Sequence, residues 1–263
     1  MNPRQYIPLI CFLFTAATAA DESQYRDRPV KAQYASIPVI IDGQLDDDVW
    51  KTAPVYKMDI PADNTNPSLP EYLQKKIPEK ILEDADVQIA WDHNYIYIAA
   101  RMKDTDLHCY GNEDQMFYFN LGDVLEVFIK PDQETYYWEL YCAPNSRKTS
   151  FFFPGRGSKF LPLSEKYRMP GQKTAASVNG TLNKWEDKDD SWTAEMAIPI
   201  KELSVHGNKV GPGNRWKILV SRYNHNRYFS FPELSSFPKL SKASFHMYEE
   251  YALVEFLLPS NNR

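Results

Sequence analysis

From residue 86 onward the chain alternates apolar and polar positions in short runs, and few segments repeat at helical spacing. Val87, Ile89 and Trp91 fall on one side of an extended segment, with Asp86, Gln88 and Ala90 on the other. Asp92-His93-Asn94 then turns the chain into a second run, in which Ile96, Ile98, Ala100 and Met102 share a face, so the pattern predicts a β-hairpin. Further strands are predicted over 124–130, 136–143, 148–153, 175–182, 192–198, 216–224 and 251–257, each rich in β-branched or aromatic residues. About nine or ten short strands bounded by Pro, Gly, Asn and Asp predict an all-β chain. The expected form is an antiparallel β-sandwich, immunoglobulin-like or jelly-roll-like. Only 46–52, 71–80 and 200–203 read as helical, as short decorations. The stretches 61–70 and 153–170 read as long loops.

The first twenty positions have a different pattern. Arg4 is followed by an apolar run over 7–14 and by small residues up to Ala20, the order of a cleavable signal peptide. The run is shorter than the roughly 20 apolar residues a membrane span needs. The expected organisation is therefore a signal peptide over 1–20 and one domain over 21–263, secreted or periplasmic, with no transmembrane segment after cleavage. From Asp21 the chain carries 29 Lys and Arg against 35 Asp and Glu, intermixed, so it lacks the basic face that a nucleic-acid partner requires. Cys109 and Cys142 remain after cleavage; a disulfide and two buried thiols are both open readings.

Most enzyme signatures are missing. There is no C-x-x-C pair and no H-E-x-x-H helix, and the five histidines are dispersed. Gly155-Arg156-Gly157 lacks the strand-then-helix setting of a phosphate loop. A glycosidase needs two carboxylates roughly 5 to 9.5 Å apart. Glu126, Glu139 and Glu195 lie within predicted strands, where an outward face or an arginine partner such as Arg222 explains them equally well. The aromatic load of 17 Tyr, 14 Phe and 6 Trp suits stacking against the C–H face of a sugar. Trp91, Trp192 and Trp216 fall on inward faces, whereas Tyr141, Tyr228, Phe229, Phe231 and Phe237 lie in or beside loops or on the opposite face.

Several stretches, in order, carry a family resemblance. Val39 to Trp50 followed by Ala53-Pro54 is similar to an opening I-D-G-x-L-D-x-x-x-W-x-x-A-P. The hairpin from Val87 to Ala99, the strand Gly122-Asp123-Val124-Leu125-Glu126-Val127-Phe128, and Tyr137 to Leu140 with Pro144-Asn145 follow. Trp192 to Pro199 matches W-x-x-E-x-A-I-P, Trp216 to Arg222 a late strand closing on arginine, and Phe245-His246 with Tyr251 to Leu253 the closing segment. Together they resemble the family 9 carbohydrate-binding modules. The resemblance implies a non-catalytic β-sandwich that binds glycan chains or chain ends and accompanies glycoside hydrolases in polysaccharide breakdown. It places a sugar-bonding glutamate at Glu126 and aromatic clamps near Asn120, beside Phe117 to Phe119, and around 234–237, where this chain has no tryptophan. Structural calcium occurs in the family; no ligand set is matched here, and Asp42, Asp46, Asp104 and Asp106 serve equally as turn and cap residues.

The expected ligand-binding residues are Glu126, Glu139 and Tyr141, flanked by Phe117, Phe119, Phe231 and Phe237, with no catalytic residue. Two alternatives stand beside this reading. One is a glycoside hydrolase using paired glutamates, and the other is an envelope interaction protein that has lost its sugar.

Overall fold

A computed structural model of the chain describes residues 29–156, 164 and 166–259. The expected signal peptide lies outside the described residues. In chain order the strands are β1 (Val30–Tyr34), β2 (Tyr56–Lys57), β3 (Ala85–Trp91), β4 (Tyr95–Lys103), β5 (Val124–Pro131), β6 (Tyr137–Cys142), β7 (Lys148–Phe153), β8 (Lys173–Asn179), β9 (Ser191–Pro199), β10 (Trp216–Asn224), β11 (Glu233–Phe237) and β12 (Ala252–Phe256). Three short helices, α1 (Asp48–Thr52), α2 (Glu71–Gln74) and α3 (Ile200–Leu203), stand where helical turns were expected, although α2 stops well short of Pro78. No described helix is long and apolar enough to cross a membrane.

The strands form one continuous path, β7-β6-β5-β10-β12-β1-β3-β4-β9-β8, with β11 added to β10 and β2 to β3. Two wings fold toward each other, so that Leu125, Val127, Ile129, Trp138 and Leu140 share one core with Val87, Ile89, Ile98, Trp192 and Met196. The path nearly closes on itself. The Ser146 hydroxyl, in the turn after β6, accepts the Ala176 amide of β8 at 2.9 Å, and Thr174 Oγ1 donates to the Ser146 carbonyl at 2.9 Å. The sheet is thus mostly β and barrel-like in closure.

One expectation requires correction, because the pairing is not wholly antiparallel. β1 lies at the seam and runs parallel to both neighbours, with Val30 opposite Val254 of β12 and Gln33 opposite Ala90 of β3. β1, β2 and β11 are also additions to the expected strands. They are short, and β11 (ELSSF) has little β-propensity of its own; its backbone is recruited by the full-length β10, with Val220 opposite Phe237.

Local chemistry explains the turns. The Asp92 carboxylate accepts the amides of Asn94 (2.6 Å) and Tyr95 (2.8 Å) and the Tyr97 hydroxyl (2.8 Å), closing the β3–β4 hairpin as an Asx turn. The outward positions Ala90, Ala99 and Ala197 are small, which lets Trp50 of α1 and Val39 pack onto that wing. Gln88, beside them, donates to the Trp50 and Ala53 carbonyls at 2.7 Å each. Gly43 has φ +85°, and an added Cβ would stand 2.7 Å from the Ala176 carbonyl carbon, so glycine is required at that turn.

Cys109 and Cys142 are both buried as free thiols. Burial pushes the Cys109 thiol up to about 12, which leaves it protonated and unreactive at neutral pH.

Candidate functional site

The wing β7-β6-β5-β10 buries its inner face in the shared core, and loops pack on its outer face around a hollow. Alternation along β5 sends Leu125, Val127 and Ile129 inward and Val124, Glu126 and Phe128 outward. Along β6, Trp138 and Leu140 point inward and Tyr137, Glu139 and Tyr141 outward. Register then decides which outward groups meet. Glu126 stands opposite Tyr141 on one side and Ser221 of β10 on the other, and Phe128 stands opposite Glu139. Two carboxylates and a phenol are thereby placed side by side.

The hollow has a volume of about 240 Å³ and is lined by Glu126, Phe128, Glu139, Tyr141 and Tyr223 from the strands. Phe119 borders it from the 3-10 turn before β5, Leu234 from β11, and Ala243, Ser244, Phe245 and His246 from the loop before β12. Phe119 lies 6.0 Å from the Tyr223 ring centre and meets the Tyr141 ring edge-on at 6.5 Å. Phe245 packs edge-on to Tyr223 at 5.6 Å. His246 Nδ1 hydrogen-bonds the Tyr137 hydroxyl at 2.7 Å, and burial holds its imidazole below the usual range, so it is neutral.

The carboxylates have few partners. Ser221 Oγ donates to Glu126 Oε2 at 3.3 Å, and the Tyr141 hydroxyl donates to Glu139 Oε1. Glu139 Oε2 is buried without a hydrogen-bond partner. Neither glutamate joins an ion pair among the described residues. Burial, and then the neighbouring Glu139 charge, hold Glu126 well above the usual carboxylate range. Burial pushes Glu139 up to about 7, opposed by the Tyr141 hydrogen bond. The floor is thus a pair of poorly solvated acceptors that gains by taking up a donor.

Of the expected site residues, Glu126, Glu139, Tyr141 and Phe119 line this hollow together. The other three lie elsewhere. Phe117 packs on Phe151 at 5.7 Å, behind the wall. Phe231 borders a separate hollow of about 270 Å³ with Asp106, His108, His225 and Arg227. Phe237 is a core residue, 1% exposed and stacked on Tyr56 at 4.5 Å, because β11 pairs with β10 and turns it inward. Leu234, three positions earlier and so on the opposite face, borders the hollow instead. In the sequence Phe245 and His246 fall only within the closing motif, and no local pattern marks them as site residues.

Glu195 has a separate task. It accepts Trp50 Nε1 at 2.9 Å and the amides of Gly43 and Asp42 at 3.0 and 3.2 Å, tying the I-D-G…W segment to β9. Asp104 pairs with the fully buried Arg222 at 3.0 Å and Asp106 with Arg227 at 2.6 Å, while Asp42 accepts the Gln44 amide at 2.8 Å. These acids are occupied by turns and arginines. Among the described residues no group of three or more His, Cys, Asp or Glu is placed to hold a metal ion.

A strand-built hollow with acid acceptors on its floor and aromatic rings on its walls defines a class of small-ligand sites on β-sheet faces. The chain belongs to the carbohydrate family 9 binding domain-like family, whose model matches residues 41–213. No protein of curated function matches the chain. Among solved structures, a candidate carbohydrate-binding protein from Bacteroides uniformis ATCC 8492 aligns with a TM-score of 0.60 at 15% identity, covering 86% of this chain and 98% of that one. A family 9 carbohydrate-binding module from Caldicellulosiruptor kristjanssonii, solved with cellotriose, aligns with a TM-score of 0.54 at 14% identity, covering 89% of this chain and 95% of that one. Both likenesses are of fold. Tyr223, Leu234 and residues 243–246 lie beyond the family match, so this part of the wall belongs to the chain's own closing segments.

Proposed function

We propose that the chain is an exported, non-catalytic carbohydrate-binding protein that takes a glycan end in the hollow over Glu126 and Glu139 and serves polysaccharide breakdown by partner glycoside hydrolases. The observation that carries the reading is the meeting of Glu126, Glu139 and Tyr141 with Phe119, Tyr223 and Phe245 on one sheet face. Carboxylate acceptors bond sugar hydroxyls, and the rings offer apolar surface to the pyranose C–H face. Family membership and the cellotriose-bound module of the same fold support it. The volume is below the roughly 300–1,000 Å³ of pockets that enclose drug-sized ligands, which favours one terminal residue over an internal stretch of chain.

The carboxylates are arranged for holding rather than for cleaving. Both rise from adjacent strands and line one hollow from the same sheet face, whereas a glycosidase sets its two acids on either side of the scissile bond. Calorimetric titration with end-bearing oligosaccharides tests the reading. Glu126→Gln should weaken binding about five- to hundredfold, the effect of roughly 1–3 kcal/mol for an unpaired buried group, with little change in melting temperature. Binding that survives Glu126→Gln unchanged moves the site elsewhere. Release of reducing ends that Glu126→Gln or Glu139→Gln abolishes would establish an enzyme.

A further inference from the structure

We infer that the ring taken by this hollow carries a protonated primary amine, as a 2-amino-2-deoxy sugar does, with its ammonium group held between Glu126 and Glu139. The inference rests on the sugar-binding reading and names the class of sugar. It starts from two buried acids with no cation beside them. Two carboxylates stand on one floor, 2% and 5% exposed, and the groups around them include no lysine or arginine. From β6 they are faced by Tyr141, from β10 by Ser221 and Tyr223, and from the loop before β12 by Ser244 and the neutral His246.

The second observation is the unused acceptor. Glu139 lines the hollow, and its Oε2 is buried and accepts no hydrogen bond, while its Oε1 takes the Tyr141 hydroxyl. Glu126 accepts the Ser221 hydroxyl at a long 3.3 Å. An alkylammonium supplies three donors and a positive charge to such a pair, and charge-assisted bonds are about twice as strong as neutral ones. A sugar hydroxyl supplies one donor and no charge. The walls agree with a cation, because Phe119, Tyr141, Tyr223 and Phe245 present π-systems around the same space, and a desolvated cation near an aromatic face is stabilised. Burial and mutual repulsion, which disfavour two ionised carboxylates in the free protein, are relieved when a cation sits between them.

The test is calorimetric titration of the full chain at pH 7.5 with three matched ligands: glucosamine-ended, N-acetylglucosamine-ended and glucose-ended oligosaccharides. The glucosamine-ended ligand should bind about tenfold or more tighter than the other two, since acetylation removes the charge and two donors. Glu139→Gln should abolish most of that preference, and a melting curve confirms that the variant is folded. Equal binding of the amine and hydroxyl ligands, or a preference that survives Glu139→Gln, would overturn the inference and leave the sugar-binding reading standing. Failure of all three ligands, alongside failure of neutral glycans generally, would overturn both.

Discussion

Replacing Glu195 by glutamine separates a structural acid from a functional one, and the outcome can be worked from its contacts. The carboxylate receives three donors, Trp50 Nε1 on Oε1 and the Gly43 and Asp42 amides on Oε2, at 2.9 to 3.2 Å. Glutamine keeps one acceptor and turns an NH₂ toward the remaining donors, so one or two bonds are lost and donor faces donor. Hydrogen bonds to a charged group contribute about 1.5–3 kcal/mol each. Burial pushes Glu195 up to about 7 despite its donors, so the comparison belongs at pH 8, where it is ionised. Glu195→Gln should then cost roughly 2–4 kcal/mol, lowering the melting temperature by about 5–15 °C at roughly 2–4 °C per kcal/mol for a domain of this size. Trp50→Phe removes one donor and should cost less, and the double variant should fall short of the sum because the two share one contact. Thermal and urea unfolding of the four proteins measures this, with glycan titration alongside. A loss below 1 kcal/mol, or intact stability with lost binding, would refute the structural assignment.

The Glu126–Glu139 pair should make stability fall as pH rises. Both groups keep their protons in the folded chain above the pH at which the unfolded chain releases them, so the folded state loses ground as pH climbs from about 4.5 through about 7. Glu139→Gln should flatten the urea-midpoint profile, and a profile that rises with pH would contradict this. Phe237→Ala should cost about 3–5 kcal/mol as a core cavity, whereas Phe119→Ala should cost far less and weaken glycan binding, as paired unfolding and titration would show. Protein made by its own host should begin close to Asp21, and N-terminal sequencing of a membrane-bound chain still starting at Met1 would overturn export.

Much of the molecule is a local property of the sequence. Period-two alternation marked the β3–β4 hairpin, placed Glu126 with Val124 and Phe128, and placed Glu139 with Tyr141, because side chains on a strand can point only two ways. The inward tryptophans Trp91, Trp192 and Trp216 follow from the same rule, and all three are buried. The ordered I-D-G, G-D and W-x-x-E motifs carried the family. Gly43 and Glu195 show why two of those positions matter: one is a turn that admits no Cβ, and the other is the acid that receives it.

What alternation does not contain is which segment covers which face. Phe237 and Phe231 look like equally good wall residues in a line of sequence, yet pairing of β11 with β10 turns Phe237 into the core, brings Leu234 to the hollow, and leaves Phe231 on another surface. Phe245 and His246 reach Glu139 across about a hundred positions of sequence, carried by a loop with no periodicity to read. The parallel seam at β1 is likewise invisible locally, since a strand's own pattern fixes its two faces but not its neighbours or their direction. Pairing and loop closure are long-range contacts selected by the burial of the whole surface. The floor of the candidate site was therefore legible in the sequence pattern, with Phe119 beside it from the family resemblance, and the rest of its walls was decided by the tertiary fold.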